Sequence, residues 1–209
     1  MSSCLSWMRG ALVAAAGLVL SGCALFATSP EQGPEQRVMG LLEHSGGNSW
    51  QLQPCSGREA LAVEDGAGLE ELFAELAQPG QSAIFVDVSG RLVGQGVLQV
   101  SQVWRMQSVG RGCADQAGAI ARWVALGDDP LWQAELGEQG MRLNTREWVP
   151  VIDEQLPGVA LNFRTLRGEA AELWIYPQGC RAIPGSFFHQ RAVLEHDGQR
   201  QEGCAYRGW

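Results

Sequence analysis

The sequence contains no lysine: all 15 of its basic residues are arginine, scattered among 23 acidic ones. Without lysine there is no Schiff-base chemistry, and no phosphate-binding loop of the kind that places a lysine on its phosphates. An acidic excess of eight with no basic patch leaves nothing to draw in nucleic acid. Histidine is scarce, with three residues, and no two cysteines are spaced as C-x-x-C. Zinc sites built from cysteine normally use such close pairs, so no metal or other cofactor is expected. Long apolar runs are missing too. The run Ala11 to Leu20 is about half of the roughly 20 residues that a spanning helix needs, and no other segment is long enough.

That short run does have the layout of a secretory signal. Trp7 and Arg9 precede it, and the small residues Ser21 and Gly22 follow it. Leu20-Ser21-Gly22-Cys23 resembles a bacterial lipobox, in which the thiol is the acyl acceptor. The resemblance implies that residues 1–22 are a lipoprotein signal peptide and that Cys23 is the lipidated first residue of the mature chain. Aspartate after that cysteine would imply inner-membrane retention, and the residue here is Ala24. An outer-membrane, lipid-anchored, periplasm-facing location is therefore expected, with the lipid as the contact to the membrane. Residues 23–37 read as a flexible tether, since Ala24 to Arg37 carries two prolines and a glycine with no periodicity.

With Cys23 acylated, Cys55, Cys113, Cys180 and Cys204 remain, an even number in an oxidising compartment, where disulfides are the default. Four cysteines permit three connectivities. The pairing Cys55 to Cys113 with Cys180 to Cys204 is favoured because each bridge then falls inside one of two bodies, each contributing roughly 3 to 4 kcal/mol by loop closure.

The bodies are divided at Arg111 to Gly118, giving residues 38–115 and 119–209. In the first, Leu69, Leu72, Phe73 and Leu76 follow a helical period that Asp65 or Gly66 can start and Pro79-Gly80 stops. Around this helix lie extended stretches at 49–53, 83–88, 91–93 and 97–104, with Ser89-Gly90 read as a turn. The second body offers strands at 120–126, 131–136, 141–144, 159–166, 172–176, 187–195 and 201–206, and Asp197-Gly198 is a hairpin signal between the last two. The expected fold is mainly β: two small antiparallel barrel-like domains, the first OB-like with one α-helix.

The segments Trp50 to Arg58, Leu69 to Phe73, Ala83 to Arg91 and Leu98 to Val100 resemble, in this order, the OB-type barrel domain of envelope lipoproteins of the NlpE kind. Nothing here matches the C-x-x-C module linked in that family to copper and surface sensing, so copper sensing is not carried over. The second body resembles a family of uncharacterised bacterial membrane-associated domains with a Gly-Asn-Glu-Pro-Phe-Trp signature and a closing Arg-Gly-Cys-Ala. Here the matching residues are Gly127-Asp128-Asp129-Pro130-Leu131-Trp132, then Cys180, then Gly203-Cys204-Ala205. Asp128, Asp129 and Leu131 depart from that signature.

Asp128, Asp129, Glu135 and Glu138 lack the alternating spacing of a calcium loop, and the two aspartates read as turn residues before Pro130. Ser186 and His189, three apart on an expected strand, would face opposite sides and are poorly placed as a nucleophile and base. His189 and His196 would make a mixed zinc site only if Cys180 and Cys204 were free. Asp128, Asp129, Trp132, Trp148 and Trp174 are the candidate ligand contacts, because tryptophan combines a broad apolar surface with a polar edge, while the favoured reading of the tryptophans is that they fill the two small cores. The expected role is non-catalytic: periplasmic binding in envelope maintenance or stress sensing, with an envelope protein or peptidoglycan-related ligand as partner. Two alternatives are a lysozyme-inhibitor-like lipoprotein inserting Gly179 to Phe188 into an enzyme cleft, and an envelope hydrolase.

Overall fold

The computed structural model describes residues 33–45, 49–94, 96–157 and 160–209; residues 1–22, expected to be a signal peptide, Cys23 and most of the expected tether lie outside the described residues. The fold is mainly β, built on two sheets.

The first sheet begins with β1 (Glu35–His44), β2 (Trp50–Pro54), β3 (Leu61–Asp65), β4 (Ala83–Val93) and β5 (Val97–Gln107). They close in the order β1-β2-β3-β5-β4, and β4 returns to β1. Only the β3–β5 pairing is parallel. One helix, α1 (Leu69–Leu76), lies in the chain between β3 and β4, which makes this a five-stranded barrel of the OB type. β1 starts at Glu35, so the last three residues read as tether are strand.

Alternation puts Val38 and Leu42 of β1, Leu52 of β2 and Leu98 of β5 inside, where Leu69 and Leu76 of α1 join them. The helix starts later than Asp65 or Gly66, at Leu69 after an N-cap at Gly68, because Asp65 ends β3. The Asp65 carboxylate accepts from the backbone N–H of Ala67 (2.9 Å) and of Glu70 (3.0 Å). Partial burial alone would raise the Asp65 pKa, but the surrounding backbone N–H donors hold it below the usual carboxylate range.

Ser89-Gly90 is not a turn. β4 runs through it as one strand, with register shifts against β5 after Asp87 and after Ser89. A Cβ on Gly90 would lie 2.4 Å from the Gln99 carbonyl oxygen, so glycine lets the barrel wall bend here without reversing.

The second sheet follows the short helix α2 (Gln116–Ile120), in a stretch expected to be a loop running into a strand at residue 120. Its strands are β6 (Trp123–Gly127), β7 (Trp132–Gly137), β8 (Gly140–Leu143), β9 (Val151–Leu156), β10 (Ala160–Thr165) and β11 (Ala171–Tyr176). After β12 (Ser186–Phe188) come β13 (Gln190–His196) and β14 (Gln199–Arg207). The order β8-β7-β6-β14-β13-β11-β10-β9 is antiparallel throughout. A bridge between Met141 and Val149 draws its two ends together into a nearly closed barrel. β13 and β14 meet at Asp197-Gly198 with φ of 52° and 70°, a primed two-residue hairpin turn as the sequence signal predicts.

Two distant stretches of the second body meet in the core. The Trp132 indole lies over Gly127 and Gly203: a Cβ at those positions would come within 2.1 and 2.7 Å of the ring. Gly127, Trp132 and Gly203 are thereby explained as packing.

β12 departs from expectation. The sequence reads as one strand from Phe187 to Glu195, but the chain changes sheets at His189. β12 pairs with Arg105 to Gln107 of β5, on the first sheet, beyond the stretch of β5 that β3 covers. Successive side chains of a strand point to opposite faces. Phe187 accordingly packs on the first barrel's core, while Phe188 is fully buried in a separate cluster with Val124, Cys204 and Tyr206.

Candidate functional site

The disulfides are Cys55–Cys113 and Cys180–Cys204, with Cα atoms 5.3 and 5.5 Å apart. The first ties the residue after β2 to the 3-10 turn at Gly112–Ala114, and the second ties the segment before β12 to β14. They consume the thiols that a Cys/His zinc site at His189 and His196 would require.

Two ionic clusters join the bodies, beside the exposed pair Arg181–Glu75 at 2.7 Å. In one, Arg105 of β5 is 1 % exposed and its Nη1 donates to Asp115 Oδ2 at 2.8 Å. The Tyr206 hydroxyl of β14 donates to the same oxygen at 2.6 Å, and Asp115 Oδ1 accepts from Gly118 N, capping α2. The guanidinium lies over the rings of Tyr206 (3.9 Å) and Phe85 (4.7 Å). Burial alone would raise the Asp115 pKa, but the hydrogen bonds from Arg105 and Tyr206, with the Arg105 charge, hold it below the usual range. Burial pushes the Tyr206 phenol far above its ordinary value. In the other cluster, Arg37 of β1 forms a bidentate pair with Asp87 and also donates to the carbonyls of Arg207 (2.6 Å) and Gly208 (2.9 Å).

Beside these contacts the two barrels leave a cleft of about 380 Å³, lined by Trp104, Trp123, His189 and Tyr206, with Ser89 and Arg207 among its polar groups. β5 places Trp104 and β13 follows directly on His189, whose backbone N–H donates to the Trp104 carbonyl at 2.8 Å. The two rings meet edge to face at 5.0 Å. Trp104 Nε1 donates to Ser89 Oγ at 2.7 Å. Burial holds the His189 pKa below the usual histidine value, so its ring is neutral at neutral pH.

The sequence-chosen ligand contacts do not form one surface. Asp128 and Asp129 are exposed in the turn between β6 and β7. Trp132 is 3 % exposed in the second barrel's core, out of reach of a ligand. Trp174 sits half-buried on the outside of β11, stacked on Tyr176. Trp148 lines a separate open groove with Trp209, Arg122, Glu138 and Asp153.

Ser186 and His189 are not paired. Ser186 is 1 % exposed and its hydroxyl accepts from Gln107, whereas His189 Nδ1 is bonded to Gln102. The segment Gly179 to Phe188 is spent on the disulfide and on β12, so it is not a free insertion loop. Sequence reasoning missed Arg105, although alternation from Val103 places that charge on a buried face. It also missed the cleft, whose walls come from β1, β4, β5, β6, β13 and β14, six strands of two bodies. Comparisons with known protein families, curated proteins and solved structures find no match.

Proposed function

We propose that this chain is a bacterial outer-membrane lipoprotein, acylated at Cys23, which holds an envelope ligand in the cleft between its two periplasmic barrels without transforming it. The observation that carries the binding role is the cleft itself. It is a concave, aromatic-walled space with a few convergent polar groups, the usual form of a ligand site, placed between two bodies. Two disulfides fit an oxidising compartment. The lipobox supplies the address, and the likenesses to NlpE-type barrels and to the membrane-associated domain family agree with a role in envelope maintenance or stress sensing. A peptidoglycan-related molecule or an envelope protein is the partner class. The test is twofold. Cys23→Ala should move the protein from the outer-membrane fraction to the soluble periplasm. Photocrosslinkers placed at Trp123 should capture an envelope component that the same crosslinker at exposed Leu131 does not. Unchanged membrane fractionation, or identical capture from both positions, would refute the respective half of the reading.

A further inference from the structure

We propose that the inter-barrel cleft is built for a small carboxylate with a flat apolar body; this rests on the reading of the cleft as the binding site. Its lining includes two arginines and no acidic residue, on a chain with a net charge of −8. Arg37 is committed to Asp87 and two backbone carbonyls. Arg207 is exposed and its guanidinium has no hydrogen-bond or ion-pair partner among the described residues, so it is the cation left for a ligand.

Two other polar groups of the lining, His189 and Ser89, are set as donors. Gln102 Nε2 donates to the Val103 carbonyl at 2.9 Å, which fixes the orientation of the amide because a carbonyl only accepts. The same nitrogen lies 3.2 Å from His189 Nδ1, so Nδ1 accepts and the neutral ring carries its proton on Nε2. Ser89 Oγ accepts from Trp104 Nε1, which leaves its hydroxyl proton to give. An imidazole N–H, a hydroxyl and a guanidinium beside Trp104 and Trp123 match an acceptor-only headgroup on a planar body. The open groove at Trp148 and Trp209 is different, because Glu138 and Asp153 line it.

The experiment titrates the full-length protein with three probes that share one ring: phenylacetate, phenylacetamide and phenethylamine, followed by calorimetry and tryptophan fluorescence. The expected result is saturable binding of phenylacetate, at least about tenfold weaker binding of the amide, and none of the amine. Arg207→Gln should weaken phenylacetate about tenfold and leave the amide unchanged. Its melting transition should not move, since the side chain is exposed. Equal binding of amide or amine would overturn the ligand class; if Trp123→Ala then abolished that binding, the cleft would stand as a site for another chemistry. No saturable binding of any probe would overturn both.

Discussion

The buried cluster around Arg105 and the cleft around His189 are built from similar parts and share Tyr206, yet they have opposite endings. In the cluster the carboxylate of Asp115 takes hydrogen bonds from one guanidinium nitrogen of Arg105 and from the Tyr206 phenol between the barrels, while Nε and Nη2 of Arg105 are buried without a hydrogen-bond partner among the described residues. In the cleft, Arg37 is paired with Asp87, but Arg207 and His189 have no counter-charge in the lining. The difference teaches that charge at this junction has two uses. Where the partner is supplied by the chain, the charge fixes how the barrels sit; where the partner is withheld, the site is open to something from outside.

The comparison breaks most visibly at Asp115. Asp115→Ala should cost about 3 to 5 kcal/mol in a urea titration, because it strands a buried guanidinium. Asp115→Asn, which keeps a polar acceptor, should cost less. Equal losses for the two would mean that shape alone matters there. Replacing Cys180 and Cys204 together by serine should cost about 3 kcal/mol in the same measurement, through the lost loop constraint.

A smaller effect belongs to the cleft. His189 has a folded pKa below its ordinary value of 6.5, so the unfolded chain takes up the proton first as pH falls. Stability should therefore be full above about pH 6.5 and decline below it, until the folded pKa is passed. Denaturation curves of His189→Gln should lack that component of the decline. The smallest effect is expected at Arg122–Asp153, an exposed pair 3.0 Å apart, where Arg122→Gln should change stability by less than about 1 kcal/mol.

Much of the architecture was legible in the residues. The α1 period and the Asp197-Gly198 turn are local signals, and both disulfides follow from the division into bodies. What stayed hidden depends on contacts between distant segments. The β9 strand, Val151 to Leu156, is almost wholly exposed and so carries no inward alternation. Ser89-Gly90 has turn chemistry, but its conformation is set by pairing with β5. Of the tryptophans chosen for ligand contact, Trp132 proved to be core, while Trp104 and Trp123, which wall the cleft, have no local mark that separates them from it. Only folding puts Trp104 of the first body opposite Trp123 of the second.

The small strand β12 has a consequence for the order of events. A chain delivered amino-terminus first would form the five-stranded barrel with the Arg105 to Gln107 edge of β5 still open, since Ser186 to Phe188 arrive only after most of the second body. An open strand edge is a template for wrong pairing. The first barrel thus emerges sticky at one margin and is sealed by its neighbour, so the interval between the two arrivals is when a folding helper would have something to hold.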